Sequence, residues 1–262
     1  MKEHTINPSL ICRLRWLFLL PCILASHALL ATPPTHSTQI EQKKEEVVRF
    51  YAGKRYAKAH EQIDSLLPML KDRKDRSKFE LYQAYCNFHE KKYLVSAHQF
   101  HLFAKQYPFF PQAEEALFMR GYSLASENVD IWLDQTTTYD AMRCLKHYLA
   151  VYPTGAYARK ASHALQKLQE RLVQKSFQAA ALYVRLGYYN AAIVALKNFE
   201  QAYPTTSLKE NLLRLLIKCY DKLAMQAGDV GKKQAFIANS AHCVQQLDQY
   251  LNEKKCDVVD KK

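Results

Sequence analysis

One short signature constrains this chain more than anything else in it. Phe103-Ala-Lys-Gln-Tyr107-Pro108, Tyr148-Leu-Ala-Val-Tyr152-Pro153 and Phe199-Glu-Gln-Ala-Tyr203-Pro204 each set an aromatic four residues before a Tyr-Pro pair. Each ends an amphipathic run. Proline has no amide hydrogen to donate, and it pushes the residue before it toward extended geometry, so each run must stop there. The three prolines are 45 and 51 residues apart (153 − 108 and 204 − 153). Aligned on them, Ser96, Ala141 and Ala192 fall twelve residues upstream, and Phe100, Leu145 and Leu196 eight upstream. The aromatics Phe103, Tyr148 and Phe199 fall five upstream, and Tyr93, Thr138 and Tyr189 fifteen upstream.

A small residue, a bulky apolar residue, an aromatic and a closing proline at these intervals form the second-helix pattern of a tetratricopeptide repeat. The small side chain lets the two helices of a hairpin approach, and the bulky ones fill the groove beside the next hairpin. Leu186-Gly187-Tyr188-Tyr189-Asn190-Ala191-Ala192 adds the end of a first helix, with Gly187 serving the tight turn. A weaker copy runs from Tyr51 through Tyr56, Ala59, Ile63 and Leu66. A degenerate one carries Leu212, Leu215 and Tyr220, breaks at Gly228–Gly231, and continues on a face of Ala241, Val244, Leu247 and Leu251. The pattern predicts an all-α, tetratricopeptide-like helical-hairpin solenoid of about five repeats. Degenerate end copies suit units that must cap a stack. The spacing exceeds the usual ~34 residues, so longer helices or insertions are expected, one of them at Ser126–Gln135.

Only six glycines occur in 262 residues, which argues against many hairpin turns between strands. The formal net charge is +12, but the basic residues are spread along the chain. The densest run, Lys71 to Lys78, is interrupted by Asp72 and Asp75, and reads as a solvated surface between helices rather than a nucleic-acid patch. Arg13 and Arg15 precede a short apolar run, Trp16–Ala25, followed by small residues at Ser26, Ala28 and Ala31. That order is a secretory signal, and the run is shorter than the ~20 residues of a comfortable membrane span. Processing after Ala28 or Ala31, or lipidation at Cys22, both fit; leucine spacing favours the second, and Pro21 before the cysteine opposes it. The organisation expected is a signal over 1–31, a flexible tether over 32–39, repeats over 40–253 and a polar tail over 254–262.

Catalytic constellations are missing. There is no GxGxxG, P-loop, GxSxG or HExxH, and no cofactor site is read. His98 and His101 share a helix face but lack a third ligand, so no metal site is assigned. Glu114-Glu115 reads as charge favoured by a helix start after Pro111. Cys86, Cys144, Cys219 and Cys243 fall in helical patterns as small buried hydrophobes. Tyr82 and Tyr85 are candidate anchors for a peptide groove.

Several segments are specific enough to suggest a family. Phe100–Pro108 followed by Ala113-Glu-Glu-Ala-Leu-Phe-Met119, the segment Leu133-Asp-Gln-Thr-Thr-Thr-Tyr139, and Leu182-Tyr183 with Gly187–Ile193 resemble the second-to-third, third and fourth repeats of the BamD family of outer-membrane assembly lipoproteins. The resemblance spans about 40–253, and Leu-Asp-Gln-Thr is its most specific part. It implies a non-catalytic scaffold at the periplasmic face of the outer membrane, held there by lipid through Cys22. Its partners would be a BamA-like barrel protein and unfolded outer-membrane clients, with no nucleic acid. Lys209 and Arg214 are a candidate contact for an acidic partner surface. A Tol–Pal-type coordinator would carry a coiled coil before its repeats, for which residues 32–50 are too short. An envelope enzyme using the repeats as a platform would need catalytic residues that are not evident.

Overall fold

A computed structural model describes residues 36–259, with side chains over 37–255. The expected signal, Cys22 and residues 32–35 lie outside the described residues. Among the described residues ten α-helices follow one another with no strand. They are α1 (His36–Ala52), α2 (Tyr56–Leu66), α3 (Arg73–His89), α4 (Tyr93–Gln106), α5 (Ala113–Ser126), α6 (Thr136–Val151), α7 (Ala158–Arg185), α8 (Tyr189–Ala202), α9 (Lys209–Gln226) and α10 (Val230–Val259). Joined by short turns, they form five successive hairpins, the all-α tetratricopeptide-like architecture that the repeat predicts. Two compact units divide the chain between Arg76 and Ser77.

In the first unit, α1 begins at His36, inside the stretch read as tether. Its first residues are polar and exposed, so they extend the helix at little cost without joining a core. The weak upstream copy packs as its pattern requires, with Ala59, Ile63 and Leu66 fully buried on α2. The acidic residues of the charged run have defined tasks. Asp72 accepts a hydrogen bond from the Asp75 amide at 2.9 Å and so caps the start of α3. Asp75 pairs with Lys44 at 2.5 Å.

In the second unit the three signatures fold alike. Helices α4, α6 and α8 end two residues before their prolines, and the intervening Tyr107, Tyr152 and Tyr203 have φ of −124°, −126° and −133°. Each tyrosine amide still bonds back to the aromatic carbonyl four residues earlier, at 2.8–2.9 Å. Each ring packs on that same aromatic, at 5.0, 5.7 and 5.1 Å between centroids. Ser96, Ala141, Ala192, Phe100, Leu145 and Leu196 are all fully buried, and Phe103, Tyr148 and Phe199 nearly so. Ser96 touches the preceding helix directly, its hydroxyl donating to the Ala84 carbonyl at 3.0 Å. Tyr93 and Tyr189 are half-buried, and Pro108, Pro153 and Pro204 sit outside, stopping helices without entering the core.

Three of the turns between paired helices use one left-handed residue each. Gly187 supplies it at φ +80°, as its sequence context predicts. Lys54 and Lys91 supply it at φ 55° and 62° in the equivalent turns, where glycine would be the unstrained choice. In each, the amide of the following residue bonds back to a carbonyl five residues earlier: Arg55 to Phe50, Lys92 to Asn87 and Tyr188 to Tyr183.

Among the described residues of the second unit two cores form, and α7 belongs to both. Ala161, Ala164 and Leu168 join the core of α3–α6, whereas Phe177, Ala180 and Val184 join that of α8–α10. Its 28 residues make a helix about 42 Å long. The stretched repeat spacing therefore comes both from this helix and from the loop at 127–135. At the downstream end the inward face of α10 is Ser240, Cys243 and Leu247, with Phe236 half-buried. That corrects the expected face at Ala241 and Val244, which are exposed: the stripe there lies one residue earlier, where Cys243 packs into the core with α9 and the Ser240 hydroxyl donates to Asp221 at 2.6 Å, while Leu247 is buried. Helix α10 also runs on through residues 254–259, inside the polar tail expected over 254–262.

Candidate functional site

The junction of α3, α5, α6 and α7 is organised by two adjacent carboxylates in the first turn of α5. Glu114 Oε1 accepts from the Tyr148 hydroxyl at 2.8 Å and from the Ala156 amide at 2.8 Å. The Tyr157 amide in turn donates to the Tyr148 hydroxyl at 3.1 Å. Glu115 accepts from the Tyr85 hydroxyl and also bonds Tyr157, whose ring stacks on Phe118 at 4.8 Å. Burial and the carboxylate beside it push the Tyr148 hydroxyl up to about 12, and burial with Glu115 raises Tyr157. Both phenols stay protonated and act as donors. The two glutamates thus do more than favour a helix start, and they tie three hairpins together.

The loop between α5 and α6 carries the most family-specific segment. Asp134 accepts from the Thr136 amide at 3.3 Å, and its contacts with Thr136 hold its carboxyl below the usual range. Gln135 is buried, donates to the Asp130 and Leu133 carbonyls at 2.8 and 3.2 Å, and accepts from the Thr138 hydroxyl at 2.9 Å. From α7, Lys175 donates to the Ile131 and Leu133 carbonyls, both at 2.7 Å, and Arg171 to the Glu127 carbonyl at 3.4 Å. So braced, the loop presents Trp132 and Leu133 to solvent, with Arg185 lying 5.7 Å over the indole.

Between α5 and α7 lies a groove of about 390 Å³. Lys160, His163, Lys167 and Arg171 line it from α7, Tyr122 and Ser126 from α5, and no carboxylate is among its lining residues. A second groove of about 440 Å³, between α7 and the 203–208 turn, mixes the amides of Gln166, Gln169 and Gln174 and the hydroxyls of the turn with Glu170, Val173 and Leu208.

The residues singled out in the sequence fall in separate places. Tyr85 packs edge-on against Phe100 at 5.0 Å and is committed to Glu115, whereas Tyr82 sits half-buried beside Phe79 and Lys78. Arg214 is engaged by Glu210 on its own helix at 3.0 Å, and Lys209 lies 5.7 Å over the Tyr250 ring. Cys86, Cys144, Cys219 and Cys243 are buried free thiols, and burial raises all four, Cys86 to about 12 and Cys219 to about 11. His98 and His101 lie on α4, and burial together with Arg120 lowers His101. Among the described residues no group of three or more His, Cys, Asp or Glu could hold a metal ion, and no helix is long and apolar enough to cross a membrane. Sequence reasoning did not single out the α7 cation row, Trp132, or Gly121, where a Cβ would lie 3.0 Å from Leu145.

Stacked hairpins with small residues at their contacts, clamped by inter-hairpin carboxylates and leaving grooves between alternate helices, define a tetratricopeptide-like repeat protein. The family described as "YfiO: Outer membrane lipoprotein" matches residues 38–235, and the chain belongs to that family. It is similar to the protein named outer membrane protein assembly factor BamD of Caulobacter vibrioides, 25% identical over 140 residues, 53% of this chain and 46% of that protein. It is also similar to the protein of the same name from Neisseria gonorrhoeae, 25% identical over 179 residues, 64% of this chain and 66% of that protein. The chain thus matches from about half to about two thirds of the length of these relatives.

Proposed function

We propose that this protein is a non-catalytic scaffold of outer-membrane protein assembly. It works at the periplasmic face of the outer membrane, where it binds a BamA-like barrel component and unfolded client segments. The observation that carries the reading is the family match across 38–235, joined to relatives named as assembly factors. The grooves beside α7 and the exposed Trp132 and Leu133 support it as surfaces on which partners can dock. Lipidation at Cys22 belongs to the reading as the anchor. Tyr82 and Tyr85 are its client contacts, and Lys209 with Arg214 its contact for an acidic partner face. Tyr82→Ala is the sharper client test, because Tyr85→Ala also breaks the Glu115 bond.

The test is a mild-detergent pull-down of tagged full-length protein from its native membranes, with the captured proteins identified. Recovery of a large barrel protein with periplasmic repeats is the expected result. Capture of Tol–Pal or cell-wall components without the barrel overturns it in favour of another envelope adaptor.

A further inference from the structure

We propose that the groove between α5 and α7 is a receptor for an acidic, extended segment of a partner protein. Lys160, His163, Lys167 and Arg171 stand at intervals of three, four and four residues on α7, so they share one face and form a row about 16 Å long. None of the four makes an ion pair among the described residues. The carboxylates near the ends of the row are otherwise engaged. Glu114 and Glu115 are held by tyrosine hydroxyls, and Glu170 accepts from Gln166 at 2.9 Å. At the far end Arg171 reaches the carbonyl of Glu127, not its carboxylate, and keeps its remaining donors. Three cations and a histidine beside a groove with no acid in its lining are complementary to an anion.

The shape selects which anion. Four residues of helix advance about 6 Å, close to the ~6.6 Å between alternate side chains of an extended chain. Aspartate or glutamate at every second position would therefore meet His163, Lys167 and Arg171 in turn, with the flexible stems absorbing the difference. The intervening side chains, which point the other way from an extended backbone, would face Ala125 and the Tyr122 ring on α5. A lone phosphate, whether free or on a lipid headgroup, would engage one or two cations and leave the rest of the row unused. The inference goes beyond the assembly reading, because it concerns what the groove recognises and not which complex the chain joins.

Fluorescence anisotropy of the full-length protein with a short labelled peptide, aspartate alternating with alanine, tests it. The expected result is saturable binding that falls with salt and weakens about tenfold in the K160E/K167E double variant. K218E/K222E on α9 makes the same change in net charge and is expected to bind as the wild type does. Melting curves establish that both variants are folded, and K160A/K167A gives a milder version of the same loss. Three results would overturn the proposal. They are no saturable binding, equal weakening in both charge-reversed pairs, and equal affinity for a peptide whose aspartates form one block. Lysine-dependent binding to phosphatidylglycerol vesicles without peptide binding would likewise reassign the groove to lipid.

Discussion

Replacing Gly155 with alanine would set a methyl group against Glu114 Oε1, 2.7 Å from the Tyr148 hydroxyl and 2.9 Å from Tyr152 Cβ. The backbone itself would not object, since Gly155 is not among the positive-φ residues. The cost therefore falls on the clamp. Glu114 must leave the Tyr148 hydroxyl and the Ala156 amide, and a hydrogen bond to a charged group is worth about 1.5–3 kcal/mol net. Glu114 is only partly buried and regains water when displaced, so the two bonds together are discounted to about 3–4 kcal/mol. Reduced freedom of the unfolded chain returns about 0.4–1 kcal/mol. A net loss of about 2–3 kcal/mol lowers Tm by roughly 4–12 °C for a chain of this size. Thermal melts by circular dichroism read it directly. Gly228→Ala is the matched control: nothing lies within 4 Å of its Cβ, so it is expected to hold or slightly raise Tm. If Gly155→Ala melts with the wild type, Glu114 does not occupy the junction and the clamp is wrong.

The left-handed turns give a paired prediction. Gly187→Ala meets no atom within 4 Å but keeps φ +80°, so it should lose about 1 kcal/mol from backbone strain alone, while Lys91→Gly should gain a similar amount; equal melting of all three proteins would refute both. Tyr148 stays protonated in the fold to about 12, above its ordinary value near 10, so the stability it contributes is complete below pH 10 and lost between pH 10 and 12. Urea titrations across that range should therefore show a steeper alkaline loss for wild type than for Tyr148→Phe, and parallel curves would count against the buried donor. Ala192→Leu overfills a contact with no exposed surface and should cost about 1–3 kcal/mol by equilibrium unfolding; an unchanged midpoint would mean the helices are not close there.

The hairpin stack was legible because its determinants are local. A proline that must end a helix, and small and bulky residues at fixed intervals before it, can be read within one repeat, and Ser96, Ala141 and Ala192 are all fully buried. What escaped depends on partners far away in sequence. Glu114 looks like helix-start charge until Tyr148 and Ala156 are folded against it. A hint was present, since Gly155 follows only the middle Tyr-Pro, where the other two copies have Phe110 and Thr206. Lys54 and Lys91 gave no sign of a left-handed backbone, because lysine rarely adopts one. Alignment of their turns on Gly187 would have located them. The row from Lys160 to Arg171 was lost among evenly spread basic residues, because only the neighbouring helix turns one face of α7 into the wall of a groove.

Helix α7 sets an angle as well as a distance. From Leu168 to Phe177 it passes between two cores with no fully buried residue on the way; half-buried Val173 packs on the downstream core, and Arg171 and Lys175 reach the 127–135 loop. Because the helix is continuous, each residue added or removed there would rotate everything downstream by about 100°. One residue would turn α8–α10 away from the faces presented by α3–α6, whereas seven or eleven, close to whole turns, would restore the phase and change only the length. The segment is therefore a gear tooth count, and chains built on this plan can vary in length at that point only in such steps.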